Sequence, residues 1–120
     1  MGRRSRRAER PRAPGSDYAD PDGNVLSLRG SLTAGARAEY ARALAGTGAP
    51  AAATREDSEG RATELLFERL AVRWVIAGAP IERQRELLTR LRVASSGERA
   101  WVRATLRAHC AEHFPDVSAP

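Results

Sequence analysis

Residues 64–78 read ELLFERLAVRWVIAG, and the reading of this stretch decides the expected fold. At 100° per residue, Arg61, Glu64 and Glu68 form a polar stripe opposite Leu66, Phe67 and Leu70, the pattern of a half-buried helix. Past Leu70 the apolar side chains lie all round and only Arg73 interrupts them. Upstream, Thr54 followed by Asp57 resembles a capping box, with Asp in place of the usual Glu or Gln. Downstream, Gly78 and Pro80 are stop signals. The pattern predicts the longest helix of the chain over about 55–77. A helix apolar on every side is either the centre of its bundle or offers a face to a partner.

The flanking sequence adds three more helices. Thr33 caps one over roughly 34–45, ended by Gly46. Pro80 suits the first turn of another that runs through Ala94, with Glu82 and Glu86 early and Arg90 and Arg92 late, as the helix dipole favours. Ser95-Ser96-Gly97-Glu98 is a capping box for the last, about 96–113, which Phe114-Pro115 ends. Before them, Pro21-Asp22-Gly23 is a turn between Asp17-Tyr18-Ala19 and the alternating Val25-Leu26-Ser27-Leu28-Arg29. This predicts a short hairpin with Leu26 and Leu28 facing the helices. No other segment reads as a strand. The expected fold is mainly α: a helical domain over 16–120, with a hairpin at 16–30 and about four helices at 31–115.

Charge is confined to one end. Arg3, Arg4, Arg6, Arg7, Arg10 and Arg12 stand against Glu9 alone, so residues 1–12 hold the whole net charge of +5. The rest of the chain balances, and the high pI does not predict a basic face on the folded body. Residues 1–15 also contain Pro and Gly and no large apolar side chain, which predicts a disordered basic arm. No apolar run approaches the roughly 20 residues of a membrane span. The arm lacks the apolar stretch of a secretory signal, and Cys110 is the sole cysteine, so a reducing, cytoplasmic location is expected.

Four features bear on function. The apolar helix makes Leu66, Phe67, Leu70 and Trp74, together with Trp101, candidate anchors for a helical protein partner or for self-association. The arginines of the arm, Arg3, Arg4, Arg6 and Arg7 among them, suit phosphates, although no aromatic side chain accompanies them for base stacking. Arg99, Arg103 and Arg107 recur at i, i+4 and i+8 on the second helix of a helix-turn-helix-like pair, so weak nucleic-acid binding is the alternative function. His109-Cys110-Ala111-Glu112-His113 matches the H-x-x-E-H pattern of inverted zinc proteases. Those enzymes need another ligand well downstream, and seven residues follow His113. No metal, cofactor or catalytic residue is therefore expected, and the protein reads as a non-enzyme.

The order of these elements, DPDGNVLSLRGSLT followed by helices and then ELLFERLAVRWVIAG, resembles the small tail assembly chaperones of long-tailed actinobacterial phages over roughly residues 17–115. The resemblance implies a non-enzymatic assembly protein that keeps a long helical partner, the tape-measure protein, soluble during phage tail assembly. Its strongly basic arm is not a feature of that family.

Overall fold

The computed structural model describes residues 15–120. The arm expected at 1–15, with Arg3, Arg4, Arg6 and Arg7, lies outside the described residues except for Gly15. In chain order the elements are β1 (Ser16–Ala19), β2 (Val25–Leu28), α1 (Ala34–Leu44), α2 (Arg55–Leu70), β3 (Ala71–Ile76), β4 (Ala79–Ile81), α3 (Gln84–Arg92) and α4 (Ser96–His113). The strands form one antiparallel sheet in the order β1-β2-β3-β4. The described residues thus form a mixed α/β fold with four helices, and the mainly-α expectation is corrected.

The error lies in residues 71–83. The helix expected to reach about 77 ends at Leu70, and AVRWVI continues as a strand. Ala77-Gly78 then makes a two-residue hairpin turn, with φ of 51° and 80°, the left-handed geometry such turns require. Pro80 sits on the sheet edge in β4 instead of opening a helix, a position that sacrifices no ladder hydrogen bond. Helix α3 accordingly begins at Gln84.

The helical appearance of this stretch has a physical cause. Phe67, Leu70, Ala71 and Trp74 are all buried and are spaced i, i+3, i+4, i+7, as on one helix face. The first two belong to α2 and the last two to β3. Leu26 pairs with Trp74 and Ser27 with Arg73, but Leu28 pairs with Ala71, so Val72 is skipped. This bulge lets Ala71 and Trp74, three residues apart, both face the core, which a regular strand would forbid.

The local devices read from sequence are present elsewhere. Thr33 accepts the Ala36 N–H at 3.0 Å, and Thr54/Asp57 and Ser95/Glu98 form reciprocal capping boxes. The Asp20 carboxylate accepts the N–H groups of Asp22 and Asn24 across the first turn. Asn24 in turn accepts the Ala77 N–H at 2.9 Å, so the two hairpin turns lie side by side. At the other end of the ladder the Arg29 N–H donates to the Leu70 carbonyl at 2.8 Å, pinning together the two ends of the α1–α2 excursion.

Leu26, Leu28, Ala71 and Trp74 join Tyr40, Leu66, Phe67, Leu70, Leu87, Leu106 and Phe114 in one core. Phe67 meets Trp74 edge-to-face with centroids 5.6 Å apart, and the Arg90 guanidinium lies 5.4 Å over the Trp74 ring. The opposite sheet face carries Asp17, Ser27 and Arg73 in one cross-strand row and Ala19, Val25, Val75 and Pro80 in the next. None of these is buried, as an antiparallel sheet with one covered face permits.

Candidate binding groove

Helices α2 and α4 present facing stripes at helical spacing. On α2 these are Asp57, Gly60, Arg61 and Glu64; on α4 they are Ser96, Arg99, Ala100 and Arg103. Between them lies a groove of about 680 Å³, closed at one end by Leu91 and Arg92 of α3 and backed by Thr63 and Val102. The helices are held in this relation by core side chains, Ala62 and Leu66 from the other face of α2 and, one to two turns beyond the groove along α4, Leu106 and Cys110.

Four cations and three carboxylates line the groove, and the carboxylates have local duties. Glu64 accepts from Arg92 at 3.0 Å, an exposed pair worth little by itself. Asp57 closes the α2 capping box, and hydrogen bonds from the Thr54 backbone and hydroxyl hold its carboxyl below the usual range. Glu56 lies in the same first turn, where the helix dipole favours a negative charge. Arg61, Arg99 and Arg103 have no ion pair among the described residues. The Nε of Arg103 is shut off from solvent and has no hydrogen-bond partner there either. An unmatched donor of this kind costs free energy until an acceptor reaches it.

Gly60 marks the floor. It lies in the interior of α2, and a Cβ built on it meets nothing within 4 Å. Nothing in the fold requires glycine there, although glycine in a helix interior costs about 1 kcal/mol against alanine. Gly60→Ala is therefore expected to raise stability by about 0.5–1 kcal/mol, read as a higher denaturation midpoint. A fall would show that α2 needs the glycine for its own geometry.

The expected site residues divide. Leu66, Phe67, Leu70 and Trp74 are at most 1% exposed and are core, so the expectation that they anchor a partner is corrected. The all-round apolar helix that motivated it is a helix followed by a strand. Trp101 is half-buried against the core. Arg99 and Arg103 come together in the groove, whereas Arg107, one turn on, donates to the Pro120 carbonyl at 3.1 Å outside it. Of the three, Arg99 and Arg107 are exposed and Arg103 is half-buried. Arg61 and Gly60 were missed by the sequence reading. Their signal was the i, i+3, i+4, i+7 stripe of α2, which reads as a solvated face until α4 lies beside it.

His109 and His113 lie apart from the groove, on the C-terminal half of α4 against β1. Burial pushes the Cys110 thiol up to about 11, which leaves it protonated and unreactive at neutral pH. Among the described residues no three His, Cys, Asp or Glu side chains are grouped as metal ligands, and no helix is long and apolar enough to cross a membrane. Comparison of the chain with protein-family models, curated proteins and solved structures gives no match.

Proposed function

We propose that the protein is a non-enzymatic helix-binding assembly protein, and that its partner is an acidic amphipathic helix seated in the α2–α4 groove. The observation that supports this is the groove itself, open above Gly60 and rimmed by Arg61, Arg99 and Arg103 without ion-pair partners among the described residues. Gly60 and Ala100 allow a backbone to approach closely. The arginines supply planar, charge-assisted donors for Glu or Asp side chains. The resemblance to phage tail chaperones implies a long helical partner, the tape-measure protein.

Nucleic acid is the alternative, and the same arginines would meet phosphates. The groove also carries Glu56, Asp57 and Glu64, and a continuous polyanion cannot avoid them. A helix that carries its carboxylates only on the turns facing Arg61, Arg99 and Arg103 can. Mixed charge favours the protein partner.

The test uses a synthetic helical peptide with leucines on one face and glutamates at i, i+4 on the other, and a random-sequence DNA duplex as competitor. Peptide binding should shift amide signals of α2 and α4. Arg99→Ala and Arg103→Ala should each weaken it about tenfold, equivalent to roughly 1.4 kcal/mol. Gly60→Leu should abolish it without unfolding the domain. Preferential, steeply salt-dependent binding of the duplex through the same arginines would replace the protein partner with nucleic acid. Shifts that bypass the groove would reject both.

A further inference from the structure

His109 is fully buried, and both its ring nitrogens are engaged. Nε2 lies 2.7 Å from the Arg29 carbonyl, which can only accept, so Nε2 carries the hydrogen. Nδ1 lies 2.7 Å from the Tyr18 hydroxyl and accepts from it. The neutral imidazole thus ties helix α4 to strand β1 on one side and to the chain just after β2 on the other. His113 stacks on it with ring centroids 4.3 Å apart, and its own Nε2 reaches the Ser16 hydroxyl at 3.2 Å. Two turns of α4 therefore hold both inward-facing residues of β1.

We infer that this arrangement is a protonation-operated latch on the edge strand, closed while His109 is neutral and released as it gains a proton. A proton can enter only at Nδ1. Once there, Nδ1 becomes a donor, and the Tyr18 hydroxyl must turn to accept and lose the partner of its own hydrogen. The cation formed is buried, with the His113 ring stacked beside it. The other charged groups near this corner are few. Among the described residues Glu112, exposed on α4, is the carboxylate that favours the cation; the Arg29 side chain is exposed, and Asp116 is paired with Arg37, whose guanidinium lies over Phe114.

Burial holds the His109 imidazole below its usual value; the Arg29 carbonyl and Glu112 oppose this and His113 adds to it. The sign follows from proton counting. Below the ordinary imidazole value of about 6.5 the open state binds a proton that the closed state refuses, so closure weakens as pH falls. β1 is the element to respond, because it is four residues long and has β2 as its single strand neighbour among the described residues.

Amide hydrogen exchange of residues 16–19, corrected for intrinsic rates, tests this at about pH 7.5 and about pH 5.5, one unit either side of that value. Opening of β1 should rise up to about tenfold at the lower pH, while α2 amides keep their protection. Nitrogen chemical shifts of His109 should show hydrogen on Nε2 at the higher pH. In His109→Gln, which keeps a donor and an acceptor but cannot titrate, the pH dependence should vanish. His113→Gln removes the ring that helps to hold the His109 imidazole down, so the rise in β1 opening at about pH 5.5 should shrink. Equal β1 protection at both pH values, or an unchanged pH dependence in either variant, overturns the latch. If His109→Gln does not fold, His113→Gln decides.

Discussion

Trp74→Ala should lower the unfolding free energy by a large fraction of its native value near neutral pH. Trp74 is 1% exposed and stands where the sheet meets α2 and α3, against Leu26 across the ladder, Phe67 edge-to-face and Arg90 over its ring. Truncating a large buried aromatic costs about 3–5 kcal/mol, and small domains hold together by about 5–15 kcal/mol in all. Its indole N–H has no hydrogen-bond partner among the described residues, so Trp74→Phe forfeits volume but no hydrogen bond and should fold with a smaller loss. Denaturant unfolding of both variants checks this. A folded Trp74→Ala protein of near-native stability would return the residue to the interface role that its sequence context suggested.

The second large effect is expected for His109→Leu. Leucine fills much of the imidazole volume, yet leaves the Arg29 carbonyl and the Tyr18 hydroxyl facing an apolar side chain. An orphan shut off from water costs about 1–3 kcal/mol, and both bonds here are part-buried, so roughly 1–3 kcal/mol in all should be lost at neutral pH. The loss should narrow on acidification, because the native protein weakens there through a group that the variant lacks. A variant as stable as the native protein at neutral pH would mean that water satisfies both partners and that His109 holds nothing in place.

Legibility followed the range of the interaction. The starts of α1, α2 and α4 were readable because Thr33, Thr54 and Ser95 act on the backbone within three residues. The first hairpin was readable because Asp20 and Gly23 settle its turn locally. β3 was not readable, because the bulge at Val72 preserves helical spacing of buried side chains across a helix-to-strand junction. Its turn is also Ala-Gly, without the Asn or Asp that usually announces positive φ. In the groove, the Arg99/Arg103 spacing was visible within one helix. Arg61 and Gly60 acquire meaning only when α2, some forty residues earlier, lies alongside. Tyr18 and Arg29, the partners of His109, are 91 and 80 residues distant in sequence, beyond any pattern within the H-x-x-E-H segment.

The bond from Arg29 to Leu70 has a kinetic consequence. The central β2–β3 ladder cannot form until residues 30–70 have returned the chain to its starting point, and that closure entropy precedes any reward from the pairing. Helices α1 and α2 shorten the effective loop by folding it into two stiff arms joined at Gly46–Thr54. Either outer hairpin needs no such closure. Folding should therefore be limited by the meeting of two preformed hairpins, and lengthening the Gly46–Thr54 connection should slow folding more than it accelerates unfolding. Doubling that closed loop would cost only about 0.6 kcal/mol at equilibrium, so the signature belongs to the refolding rate.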